Sequence, residues 1–189
     1  MNYLVIESHP YSRSFNAGVT RALKETAEQK GHTFSSINLV SDAFDPVMNA
    51  VDLALWIHGR SDPFVRKYQD MINKADILVF PFPIWWGTMP AVLKGFCDKV
   101  LLPGWAYKSD EDGNMVGLLT GKKAIVITTM QMPTEVYTSQ FMDPINGGFI
   151  VGTLQFCGIE TIKYIQIDNI STGGTDYAES KMDEIRALI

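Results

Sequence analysis

Apolar residues along this 189-residue chain fall into two alternating rhythms. Short apolar, β-branched runs occur at YLVIES (3–8), TFSSINLV (33–40), DILVFPFP (76–83), KKAIVITTM (122–130) and TIKYIQI (161–167). Bounded by Gly, Pro or polar residues, such runs read as strands. Between them apolar positions recur at helical spacing. NAGVTRALKETAEQKG (16–31) places Val19, Ala22, Leu23 and Ala27 on one face and ends at Gly31. Residues 50–75 carry helical periodicity twice, with a break near Gly59 and Pro63 and a cap from Ser61 or Asp62. MPAVLKGFCDKVL (89–101) reads as a helix with Pro90 in its first turn. GGFIVGTLQFCG (147–158) reads as a helix despite its glycines, and residues 175–189 as a closing amphipathic helix.

Five short strands alternating with helices predict an α/β fold, a parallel sheet with helices on both faces. The right-handed crossover rule leaves few topologies. The length suits one domain spanning 1–189. Residues 102–121 are the one long stretch without a strong period, and a loop of that length is expected to be functional or mobile.

Composition then narrows the function classes. The chain is 46% hydrophobic and 20% charged, with a net charge of −5 and no basic stripe, which argues against nucleic acid as a partner. No apolar run reaches the roughly 18 residues of a membrane span. The opening MNYLVIESHP lacks a basic leader and reads as a strand, so a cytoplasmic protein is expected. Cys97 and Cys157 form no CxxC, and His9, His32 and His58 form no HExxH, so neither a disulfide scaffold nor a metal centre is signalled. No GxSxG elbow signals a hydrolase.

In open parallel sheets ligands bind beyond the carboxyl ends of the strands. Three loops there carry candidate chemistry. SHPYSRSFNAG (8–18) is neither GxGxxG nor a P-loop, yet it sets Ser12, Arg13, Ser14 and Asn16 at a helix N-terminus, a ready anion site. The same residues suit a plain helix cap. IWWGTMP (84–90) gathers Trp, Gly and Pro on a turn. Its backbone N–H groups at residues 84–88 are expected to face the crevice beside Trp85 or Trp86, a seat for a flat heteroaromatic ligand. Taken singly, these aromatics also suit a core. TTMQMPTEVYTSQ (128–140) reads as a polar loop offering hydroxyls and Tyr137.

Together, HPYSRSFN after the first strand, FPIWWGTMPAVLKGFCDKVLLPGWAY after the third, TT closing the fourth and the later FCG resemble the flavodoxin-like NAD(P)H:quinone oxidoreductases over most of the chain. The resemblance implies a flavodoxin-like five-stranded parallel sheet, a noncovalent flavin (FAD or FMN) at its carboxyl edge, NAD(P)H as co-substrate, a quinone or other aromatic acceptor, and a homodimer. Carried over by position, it implies that His9, Ser14, Phe15 and Asn16 hold the flavin phosphate and its neighbourhood. Pro83, Ile84, Trp85, Trp86 and Gly87 would line the ring, with Thr128 and Thr129 at its other edge. Tyr137 and Tyr107 are the implied catalytic positions, Tyr107 roofing the pocket from across the dimer. Met130 and Gln131 stand where many relatives have a glycine pair, and no histidine lies between Gln131 and Phe156 to complete the relay of the mammalian enzymes. The family also implies two other readings, a flavoprotein subunit of a membrane transporter and a one-electron carrier. The Trp85–Trp86 turn and the long 102–121 loop favour a substrate pocket over a carrier.

Overall fold

A computed structural model describes residues 1–58 and 60–189. Five parallel strands form the main sheet: β1 (Asn2–Glu7), β2 (Thr33–Asn38), β3 (Ile77–Pro83), β6 (Lys123–Thr129) and β7 (Glu160–Ile167), in the spatial order β2-β1-β3-β6-β7. A separate antiparallel hairpin pairs β4 (Tyr107–Ser109) with β5 (Met115–Gly117). The helices are α1 (Phe15–Gln29), α2 (Ala50–Ile57), α3 (Pro63–Lys74), α4 (Ala91–Val100), α5 (Thr134–Phe141) and α6 (Gly174–Arg186), with a π-helix over Ile145–Gln155.

Strand alternation explains why both faces are covered. In β1, Tyr3 and Val5 join one core with Ile77, Val79, Ile125, Ile127 and α1 residues Val19 and Leu23. Leu4 and Ile6 join the opposite core with Leu78, Phe80, Phe82, Val126, Tyr68 and Phe96. Successive side chains of a strand point to opposite faces, so an all-apolar strand must be buried twice. β3 is buried at all of its positions.

All five expected strands are present, each within two residues of its expected ends. Asp62 caps α3, accepting a 2.7 Å hydrogen bond from the Phe64 N–H. Gly59, named in the expected helix break, lies outside the described residues. Four expectations change. Pro90 stands at the N-cap of α4, one position before its first turn. The 102–121 stretch holds the β4–β5 hairpin, whose three-residue strands are too short to show a period. The 128–140 loop turns into α5, of which only Tyr137 is buried, so it has no apolar stripe to betray it. The glycine-rich helix is a π-helix: Ile145, Phe149, Ile150 and Leu154 are buried at spacings wider than the α-helical repeat.

α2 has no buried residue. It is held by the largely buried Lys99 of α4, which donates to the Val47 carbonyl at 3.1 Å and pairs with Asp52 at 3.1 Å. The preceding loop lies directly on α4, and a Cβ at Gly95 would sit 2.2 Å from the Pro46 carbonyl oxygen. Gly95→Ala should therefore destabilise the protein by about 1–3 kcal/mol through overpacking, although alanine is the better helix former by about 1 kcal/mol. Urea unfolding would measure this, and a variant as stable as the parent would refute the close packing.

Candidate functional site

The spatial order of the strands reverses direction between β1 and β3, which opens a crevice at their carboxyl ends. The loop after β1 enters it first. Ser14 caps α1, its hydroxyl accepting from the Ala17 N–H at 3.1 Å. Its own N–H donates to the Tyr11 carbonyl at 3.0 Å. Asn16 is buried and donates from Nδ2 to the Thr129 hydroxyl at 2.8 Å. Its Oδ1 and the Ser8 hydroxyl are buried with no hydrogen-bond partner among the described residues. Such orphans are uncommon and call for a ligand, an ion or water. The His9 Nδ1 accepts from the Tyr11 N–H at 3.0 Å, and its ring meets Trp85 edge-on at 5.8 Å. Burial lowers the His9 pKa, only partly offset by that hydrogen bond, so the ring is neutral at physiological pH. Phe15 faces elsewhere and packs on the α1–α6 core.

The turn after β3 is a tight hairpin. The Trp85 N–H donates to the Thr88 carbonyl at 2.8 Å and the Thr88 N–H returns a bond at 3.1 Å. Trp86 (φ 51°) and Gly87 (φ 77°) both lie in the left-handed region. Two such residues in succession define a type I′ turn, for which glycine suits the second position and tryptophan is a poor first. The turn holds the Trp86 side chain fully exposed, at 103% relative accessibility, beside half-exposed Trp85. This corrects the expectation for residues 84–88. The Ile84 N–H is taken by the Thr129 carbonyl at 2.8 Å, and those of Trp85 and Thr88 close the turn. The Trp86 and Gly87 amides make no hydrogen bond among the described residues. Pro83 is buried at the strand end.

Thr129 is the meeting point, accepting Asn16 on its hydroxyl and Ile84 on its carbonyl. Thr128 is fully buried and donates its hydroxyl to the Ile165 carbonyl on the neighbouring strand at 3.4 Å. Tyr137, buried on α5, donates to the Gly87 carbonyl at 2.9 Å. Its pKa is pushed up to about 12, first by burial and then by the charge of Asp143. The phenol therefore stays protonated at neutral pH and acts as a donor. Tyr107 lies far from this cluster in its own chain. It follows α4, which runs back from the carboxyl end of β3. Its neighbours Trp105 and Ala106 bond Asn73, before β3, and Leu118, before β6. It packs edge-on against Phe156 at 5.0 Å.

Two carboxylates escaped the sequence reading. Asp168, just past β7, accepts from the Thr134 N–H at 2.8 Å and from the Tyr177 hydroxyl at 3.0 Å. The Thr134 bond is the main cause of its lowered pKa. Asp143 accepts from Tyr164 at 3.0 Å and Gln166 at 3.2 Å. Asp168 follows the fifth strand, whose loop, like that after the second, lies outside a reading of the first, third and fourth loops. Asp143 had no local signal for its side-chain partners, which lie 21 and 23 residues away.

A surface groove of about 350 Å³, lined in part by Glu7, His9, Ser12 and Arg21, opens beside the α1 N-terminus. A larger cleft of about 600 Å³ lies around α2 and Lys99 and shares no residue with these loops. Of the candidate residues in these loops, His9 and Ser12 line the first groove.

The family model of the flavodoxin-like fold matches residues 1–189. An uncharacterized NAD(P)H oxidoreductase of Haemophilus influenzae is 31% identical over 166 residues, covering 87% of this chain and 82% of that protein. The ribosyldihydronicotinamide dehydrogenase [quinone] of Pongo abelii is 29% identical over 187 residues, covering 84% and 78%. Among solved structures, Smu.1420 from Streptococcus mutans superposes with a TM-score of 0.84 at 30% identity, covering 100% of this chain and 98% of that one. The chain belongs to the flavodoxin-like family that includes the NAD(P)H:quinone oxidoreductases.

Proposed function

We propose that this protein is a flavin-dependent NAD(P)H oxidoreductase that reduces quinones or related planar acceptors by two electrons in a ping-pong cycle, working as a homodimer. The observation that carries the reading is the convergence on Thr129. It joins a helix N-terminus with two orphaned polar atoms to a turn that presents two free amides and a fully exposed indole. The first half suits a phosphate and the second a flat ring. The residues present therefore fit a flavin mononucleotide moiety, whether FMN or the flavin half of FAD.

Ser14, Asn16 and the first amides of α1 would hold the phosphate, aided by Arg13 and the positive end of the helix dipole. Trp85 and Trp86 would bound the ring, and the Gly87 and Trp86 amides would supply donors to its polar edge. A bound flavin supplies the hydride-accepting and hydride-donating chemistry. The protein contributes stacking, alignment and donors placed where negative charge develops. Tyr137 remains protonated and is the side chain we assign to stabilising that charge through the turn it holds. One planar seat shared in turn by nicotinamide and acceptor requires the first product to leave before the second substrate enters.

The dimer rests on two features. Tyr107 cannot reach the tryptophan turn of its own chain, so a role there needs a second copy. α2 exposes Val51, Leu53, Trp56 and Ile57 while burying no residue. An apolar helix with no buried face is expected to find a partner.

Purified protein should carry a flavin absorbance spectrum or take up FMN or FAD when offered. Asn16→Ala should weaken retention tenfold or more, since a hydrogen bond near a charged group contributes about 1.5–3 kcal/mol. Failure to take up either nucleotide would end the reading. With NADH varied at several fixed quinone concentrations, double-reciprocal plots should be parallel, whereas intersecting lines would mean that both substrates sit in the site at once. Ile57→Asp should convert dimer to monomer in sedimentation analysis and lower quinone turnover. An unchanged dimer would place the interface elsewhere.

A further inference from the structure

We propose that Asp143 is the positioning residue of the tryptophan turn, acting through Tyr137 from the far side of the π-helix junction. The inference rests on the reading that this turn faces the redox ring. A non-glycine residue in the left-handed region costs on the order of 1–2 kcal/mol, so Trp86 must be held by its surroundings. Two of its restraints are the bonds that close the turn on itself. The third is the Tyr137 hydroxyl on the Gly87 carbonyl, reaching from 50 residues further along the chain.

Tyr137 is in turn set by the end of its helix. α5 stops at Met142 (φ 57°) and Asp143 (φ 46°), two successive non-glycine residues in the left-handed region. Aspartate tolerates this backbone and methionine does not favour it. Met142 is 86% exposed, so packing does not hold it. The Asp143 carboxylate does. It accepts from the Tyr164 hydroxyl at 3.0 Å, from Gln166 Nε2 at 3.2 Å and from the Asn146 N–H at 3.1 Å. The first two partners project from β7 and bond each other at 2.9 Å. Asp143 thus fastens the α5–π-helix junction to the rigid sheet, and its own N–H reaches back to the Tyr137 carbonyl at 3.5 Å. The negative charge of Asp143 also raises the pKa values of Tyr137 and Tyr164, after burial, which keeps both phenols as donors. The path runs from sheet to carboxylate to helix end to phenol to turn.

The test combines Asp143→Ala, Tyr137→Phe and the double variant, read in two ways. The first is amide hydrogen exchange at Thr88, whose N–H closes the turn, in protein without added flavin. The second is FMN affinity by quenching of tryptophan fluorescence. Each single change should speed Thr88 exchange about tenfold and weaken FMN binding. The double variant should be no worse than the more severe single one, because residues acting in series are not additive. Asp143→Asn, which keeps the shape and one acceptor, should restore exchange at least in part. Tyr164→Phe should give a smaller effect of the same kind and serves if Asp143→Ala does not fold. Additive effects would overturn the proposal, as would faster unfolding overall with Thr88 exchange unchanged relative to its neighbours. If the exchange pattern holds while neither the parent nor any variant binds flavin, Asp143 still positions the turn and the functional reading fails.

Discussion

Thr129 is the residue on which the site depends. It closes β6, and strands β1 and β6 flank β3 on either side. Its hydroxyl takes the buried Asn16 amide from the β1 side, and its carbonyl takes the Ile84 N–H from β3. Three loop origins are thereby fixed to one another at the carboxyl edge by two short hydrogen bonds. Leaving such buried groups unpaired would cost about 1–3 kcal/mol each. The α1 N-terminus and the tryptophan turn are therefore held at one spacing, which is what the proposed binding of a molecule with a phosphate at one end and a plane at the other requires.

Local backbone strain is concentrated around the same edge. Trp86, Met142, Asp143 and Asn169 all adopt positive φ without being glycine. Each lies beside a group that restrains it. Tyr137 bonds the Gly87 carbonyl, Tyr164 and Gln166 bond Asp143, and the Asn169 carbonyl accepts the Thr172 and Gly173 N–H groups. Unusual backbone persists only where surrounding structure over-determines it. Here the outcome is an indole displayed to solvent on a turn that cannot easily relax. A flexible turn would let Trp86 fold back on the apolar surface.

The opposite side of the chemistry is the unpartnered one. α2 is attached through Lys99 and its acidic and carbonyl partners rather than through a buried apolar face. Tyr107 sits on a small hairpin at the amino edge of the sheet. Both features fit the proposed homodimer, in which a second copy would cover α2 and bring its Tyr107 to the open tryptophan turn.

How much of this was written in the residues can be seen element by element. The inner strands β1, β3 and β6 were legible because a strand buried on both faces is apolar almost throughout, and the edge strands β2 and β7 from shorter runs of β-branched and alternating residues. α1 and α3 were legible from their caps and 3.6-residue stripes, and α2, α4 and α6 from their stripes alone. The phosphate loop and the tryptophan turn were legible as candidates, since hydroxyls before a helix and Trp-Trp-Gly after a strand are local patterns. The tertiary structure decided the rest. That Thr129 bonds Asn16 while Thr128 bonds the Ile165 carbonyl depends on which side of the sheet each alternating side chain meets. That the Ile84 and Trp85 amides are consumed, while Trp86 and Gly87 remain free, follows from a turn type set by long-range bonds. α5 lacked the period that identifies a helix, the helix read at 147–158 gave no sign of its π character, and Asp143 gains its Tyr164 and Gln166 partners only when β7, distant in sequence, is packed beside it. Local rhythm specifies elements because it reflects burial, whereas a site is a set of distances between elements, and those exist only after the sheet has assembled.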